Sequence, residues 1–170
     1  RDALVAQDPE SVDIIKPFLR GRDVKRWNVE SQDLWLIFTR RGVDIDGYPA
    51  VKAHLQAFRK QLEAKPDAWD DKTQGAWPGR KAGSYEWYHI QDNIAYWEEF
   101  LLPKIIVPAI TDNVNYAPDL TGYFSNDKTS IVVSEDWRYL LTILNSAVSW
   151  WLTQQLFASK QGGFFEFKPM

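Results

Sequence analysis

Residues 137–157 constrain this chain more than any other stretch. Trp137, Leu140, Leu141, Leu144, Val148, Trp151 and Leu152 recur at three- and four-residue spacing, with Arg138, Thr142, Asn145, Ser149 and Thr153 between them. That period builds a helix with one apolar face, and its polar interruptions exclude a membrane span. Ser134, Glu135 and Asp136 mark its start, because acids suit the positive end of a helix. A second stripe of Val51, Leu55, Phe58 and Leu62 follows Pro49 and closes at Lys65-Pro66. Around these helices lie apolar runs of strand length, at 34–38 (LWLIF), 104–110 (KIIVPAI), 130–133 and 164–167. LWLIF is continuous, as in a strand buried on both faces. Pro108 places the second run at an edge or a bulge. Asp8-Pro9-Glu10 opens a short helix that turns Val12 and Ile15 to a core, and 91–100 forms another. Turn pairs Pro118-Asp119 and Thr121-Gly122 make 116–124 a hairpin connection. The expected class is α/β (α+β), a mixed β-sheet with two long amphipathic helices, as one domain over residues 1–170.

No cysteine is present, which removes disulfides, thiolate zinc sites and cysteine nucleophiles. Nothing resembles a signal peptide, so the expected location is cytoplasmic, without a membrane partner. The first residue is Arg1 rather than Met, and the last residues run through an apolar, strand-like stretch; the chain reads as a piece of a longer polypeptide. A net charge of −3 argues mildly against nucleic acid. The charge is uneven, however. Residues 1–62 hold eleven Lys/Arg against nine Asp/Glu, and Lys16, Arg20, Arg22, Lys25 and Arg26 crowd around Asp23. Such a run serves equally as a solvated loop or a phosphate-binding patch.

Catalytic signatures are missing. His54 and His89 lie far apart without metal-ligand spacing and read as structural or surface histidines. Gly162-Gly163 follows a helix rather than opening one, the wrong order for a phosphate cradle. Asp119, Glu166 and Lys168 supply the residue types of a magnesium nuclease, but in scattered positions. Neither a catalytic residue nor a metal ligand is therefore assigned.

The segment 79–91 (GRKAGSYEWYHIQ) carries the chemistry most suited to DNA. Arg80 and Lys81 between glycines form a flexible basic tip that can approach phosphates. Tyr85, Trp87 and Tyr88 offer planar faces or hydroxyls, and Gln91 an amide of the kind that pairs with adenine. The alternation of Tyr85, Trp87 and His89 fits a strand face equally well. Arg40 and Arg41 add a third basic site at the end of the LWLIF run.

Several blocks, in order, resemble one family. They are KPFLRGRDVKRW (16–27), WLIFT (35–39), YPAVKAHL (48–55), the segment 79–91, PKII (103–106), YFSND (123–127), LNS (144–146) and GGFFEFKP (162–169). Together they resemble the TaqI-like C-terminal specificity domain, the target-recognition part of adenine-specific DNA methyltransferases and single-chain restriction–modification enzymes. The resemblance implies a DNA-reading domain that is not itself an enzyme. Its parent would be an adenine-N6 methyltransferase, with or without restriction endonuclease activity. A methyltransferase domain on the N-terminal side would hold S-adenosylmethionine and an Asn-Pro-Pro-aromatic motif, neither of which this chain contains. The implied partner is double-stranded DNA, gripped by Arg20, Arg22, Lys25, Arg26, Arg40 and Arg41, with Arg80, Lys81, Ser84, Tyr85 and Gln91 near bases or backbone. The alternative is an acidic, Trp-rich module that docks to a methyltransferase or a phage-defence complex.

Overall fold

A computed structural model describes residues 1–167. In chain order the elements are α1 (Asp2–Gln7), β1 (Ile15–Leu19), β2 (Val24–Lys25), β3 (Asn28–Val29), β4 (Leu34–Ile37), α2 (Pro49–Gln56), α3 (Arg59–Leu62) and α4 (Asp71–Gln74). Then follow β5 (Lys104–Pro108), β6 (Ile110–Thr111), β7 (Ala117–Asp119), β8 (Phe124–Ser125), β9 (Thr129–Val133), α5 (Trp137–Leu144), α6 (Ala147–Leu156), β10 (Ala158–Ser159) and β11 (Phe165–Glu166). The α/β expectation holds, but the strands form several small sheets rather than one large one. Internal packing divides the chain into two units, Arg1–Lys16 with Trp35–Ala95, and Pro17–Leu34 with the described residues from Tyr96 onward. No helix among the described residues is long and apolar enough to cross a membrane.

The first unit packs around Ile14, Ile15, Ile45 and Val51, with Leu4 and Val5 of α1 and Leu55 of α2 against them. Pro49 sits in the first turn of α2, where its missing N–H costs nothing. The expected long helix breaks here. Ala57 N bonds to the His54 carbonyl and Phe58 N to that of Leu55, a tightened three-residue spacing that ends α2 and leaves Phe58 exposed. The short helix expected after Pro9 is a 3₁₀ segment, Pro9–Asp13, with Val12 in solvent; Ile15 is buried, but as the first residue of β1. β4 is not buried on both faces. Trp35 is exposed, and the Arg1 guanidinium lies 4.3 Å from its ring centre.

The second unit is organised by β5, which has β7 on one side and β9 on the other, both antiparallel. Its two faces feed two cores. Ile105 packs with Val114, Tyr116 and Leu141, while Ile106 packs with Leu19, Val24 and Ala117. Each isoleucine is fully buried, a contribution of about 1.5–3 kcal/mol apiece. Pro108 pairs only with Thr129 of β9, because β7 reaches no further than Ile106. On that open side the absent proline N–H leaves no ladder bond unmade.

Residues 116–124 do not form a hairpin. β7 pairs with β5, whereas β8 runs parallel to β1 through Phe18–Phe124 and Leu19–Ser125. The turn between them is built on the buried carboxylate of Asp119. It accepts from the backbone N–H groups of Thr121 (2.8 Å), Gly122 (3.2 Å) and Tyr123 (2.8 Å), and from the buried ammonium of Lys104. The helix expected over 91–100 is a 3₁₀ segment, Trp97–Leu101, whose Phe100 stacks on Phe124.

The second long helix is also divided. Asn145 leaves the helical path, and its buried amide pairs with both backbone groups of Tyr116, accepting from N (3.3 Å) and donating to O (2.9 Å). Ser146 then caps α6 by accepting from Ser149 N. β10, β11 and β6 form a last antiparallel sheet.

Candidate nucleic-acid interface

In the second unit, a cleft of about 580 Å³ opens beside the carboxyl ends of the parallel strands β1 and β8. One wall is the turn that leaves β1. Arg20 clasps Asp23 by its backbone N–H (3.0 Å), its Nε (2.9 Å) and its Nη2 (2.9 Å), closing a single 3₁₀ turn, Gly21–Asp23. The Arg20 guanidinium holds the Asp23 carboxyl below the usual carboxylate range. Lys25 donates to the Arg22 carbonyl (2.9 Å) and lies 3.9 Å from Glu30. Arg26 donates to the Asn145 carbonyl (2.7 Å), which ties the basic segment to the break between α5 and α6. Arg22 differs from all three. It is exposed on the cleft wall, and its guanidinium has no hydrogen-bond or ion-pair partner among the described residues.

The rest of the lining contains residues that sequence reasoning did not single out. Asn126 and Lys128 stand on the turn between β8 and β9, and Asn115 and Phe164 line the cleft as well. Lys128 pairs with its neighbour Asp127 (2.6 Å), and both side chains are largely exposed. The signal that marked this turn was the YFSND block, which pointed to a shared motif rather than to a contact residue.

The other expected residues lie in the first unit, where the basic tip is not free. Arg80 donates to three carbonyls, those of Leu62 (2.6 Å), His89 (2.6 Å) and Trp87 (2.8 Å). Arg41 donates to the carbonyls of Ile90 and Gln91, the latter at 2.8 Å. The Tyr85 ring lies against both guanidiniums, 4.5 Å from Arg80 and 5.3 Å from Arg41, and its hydroxyl donates to the Lys81 carbonyl. Arginines suit this stapling because their planar fork reaches several acceptors at once. Gly79 serves close packing rather than flexibility, as a Cβ there would lie 2.4 Å from the Glu63 carbonyl oxygen. Tyr85, Trp87 and His89 do not form a strand face; the segment is a series of turns. Arg40 donates to the Arg41 carbonyl (3.0 Å), Lys81 lies 3.5 Å from Asp92, Ser84 is exposed and Gln91 is half-buried. Thus Arg41, Arg80, Tyr85 and Gln91 come together in one unit, and Arg20, Arg22 and Lys25 in the other.

His89 is buried within the stapled segment. Its Nδ1 accepts from Glu86 N (3.2 Å), which puts the ring proton on a buried Nε2. Burial, with the Arg41 guanidinium second, holds its pKa below the ordinary histidine value. The scattered acids do not form a nuclease site. Asp119 is buried and saturated, Glu166 pairs with Lys160 at 2.7 Å, and Lys168 lies outside the described residues.

Comparison with solved structures finds the Type IIL restriction–modification enzyme MmeI in complex with DNA, with a TM-score of 0.58 and 12% sequence identity. The match covers 98% of this chain and 20% of the MmeI chain, so this chain spans about a fifth of that enzyme's length. No curated protein matches the sequence. The family described as the TaqI-like C-terminal specificity domain matches residues 16–170, nearly the whole chain. The chain therefore belongs to the TaqI-like C-terminal specificity domain family.

Proposed function

We propose that this chain is the DNA-reading part of a restriction–modification enzyme. In this reading it grips a DNA duplex and positions a target adenine for a methyltransferase domain carried by the same polypeptide. Family membership supports it, as does the similarity in fold to an enzyme whose structure holds DNA. The observation that carries it is the cleft at the ends of β1 and β8. There Arg20 and Lys25 are fixed by internal bonds, and the exposed Arg22 faces solvent from a preorganised wall. Phosphate contacts from such cations set position and salt sensitivity, while base-edge contacts set sequence. The methyltransferase domain would hold S-adenosylmethionine and take the adenine out of the stack. Methylation, and any cleavage, would belong to that parent enzyme.

The test is selection from a pool of randomised duplex DNA, with sequencing of the bound fraction at several salt concentrations. Enrichment of a short motif supports the reading; an unenriched pool bound by folded protein refutes it.

A second reading is favoured by one surface. No charged residue occurs from Tyr139 to Ser159, and within that run α6 exposes Val148, Trp151, Leu152 and Leu156. An uncharged apolar face of this kind suits docking against another protein surface, here the methyltransferase domain. The two readings are compatible unless DNA binding is absent.

A further inference from the structure

We propose that Arg22 and Lys128 contact phosphates and that Asn126 contacts a base edge, so that the β8–β9 turn is a specificity-determining element. This rests on the DNA-reading function proposed above and assigns its site. Three observations lead to it.

The first is placement. β1 and β8 are parallel neighbours, so the turns that follow them emerge at the same end of the pair. Ligands of α/β proteins gather at the carboxyl ends of parallel strands, where loops diverge and leave a crevice. Here the crevice is the cleft itself, and Arg22, Asn126 and Lys128 all line it.

The second is rigidity. A Cβ at Gly21 would stand 2.9 Å from the Lys128 carbonyl oxygen, so the two turns pack backbone to backbone. The same Lys128 carbonyl accepts from Ala109 N (2.8 Å). Thr129 N closes the turn on the Asn126 carbonyl (3.1 Å), and the Thr129 hydroxyl bonds to Ser125. Two turns locked in this way hold their side chains at fixed separations, as register on a duplex requires.

The third is which groups are left available. Arg20, Lys25 and Arg26 are engaged internally, whereas the Arg22 guanidinium has no hydrogen-bond or ion-pair partner among the described residues and acts on nearby Asp23 only through its charge. Lys128 is paired only with an exposed neighbour, an interaction a phosphate can replace. Asn126 uses one lone pair of Oδ1 to accept from Lys128 N (3.1 Å). The second lone pair and the Nδ2 hydrogens remain, the donor and acceptor needed for the N6 and N7 positions of adenine.

The test compares Arg22→Ala, Lys128→Ala and Asn126→Ala with the wild-type chain, on the duplex it enriches and on every single-base variant of that duplex. All three side chains are exposed, so thermal midpoints should match the wild type. Arg22→Ala and Lys128→Ala should weaken every duplex alike, and each should reduce the slope of log affinity against log salt by about one. Asn126→Ala should instead lose roughly 5- to 150-fold discrimination at one base pair while others are read as before. If the wild type binds and reads DNA but the variants behave like it, the inference falls and the DNA-reading function stands. Uniform weakening by Asn126→Ala overturns the base-contact assignment. If the folded wild type binds no duplex, both fall.

Discussion

Replacing Asn145 with alanine would cut the link between the helix break and the strand it supports. The Asn145 amide is fully buried and makes two bonds to the backbone of Tyr116. After truncation the Tyr116 carbonyl keeps its bond from Trp27 N (3.0 Å). The Tyr116 N–H keeps nothing equivalent, and an orphaned buried donor costs about 1–3 kcal/mol. Adding the lost bond to the carbonyl, about 1 kcal/mol, gives a total of about 2–4 kcal/mol. The contact from Arg26 survives, because it goes to the Asn145 backbone carbonyl. The assay is urea unfolding followed by tryptophan fluorescence and circular dichroism. With a slope of about 2 kcal/mol per molar urea, the midpoint should fall by about 1–2 M at unchanged slope. A loss below about 0.5 kcal/mol, the range of an ordinary surface substitution, would refute the assignment of this amide as the organiser of the α5–α6 break.

Three further predictions concern groups bonded internally elsewhere. Because the folded-state pKa of His89 is depressed, the unfolded chain binds a proton that the folded chain resists as pH falls through about 6.5. Stability should therefore drop between pH 7.5 and 5, and His89→Gln should flatten that drop; identical pH profiles would contradict it. Lys104→Met strands a buried carboxylate and should cost about 3–5 kcal/mol in urea unfolding. A change within about 1 kcal/mol would place the pair among exposed ones. Arg80→Lys leaves one ammonium to serve three carbonyls, so amide exchange across 79–91 should quicken; unchanged exchange would show that the staple is dispensable.

The local features of this fold are readable in the sequence, and its pairings are not. LWLIF and KIIVPAI show as strands because their apolar runs are short and bounded. Pro108 signals an unpaired side, and one exists. The hairpin expected at 116–124 fails because β8 chooses a partner about a hundred residues away, where no turn chemistry can point. The apolar stripe of 137–157 continues through Asn145, so its period conceals the break; the Asn145-Ser146 pair was the available sign. Arg80 has the composition of a phosphate ligand, and only the return of the Leu62 carbonyl to its side reveals a staple. Neither Asn126 nor Lys128 belongs to a basic run, so composition gives no sign of either as a contact residue.

Sequence reading is tested most directly by the ratio of two affinities: the duplex enriched by selection against a scrambled duplex of the same composition, measured by fluorescence anisotropy across a salt series. The proposed function predicts tighter binding to the enriched duplex, by a factor on the order of 10³, with both affinities falling linearly on logarithmic axes as salt rises. Equal affinity for the two duplexes would contradict it, whatever the strength of binding.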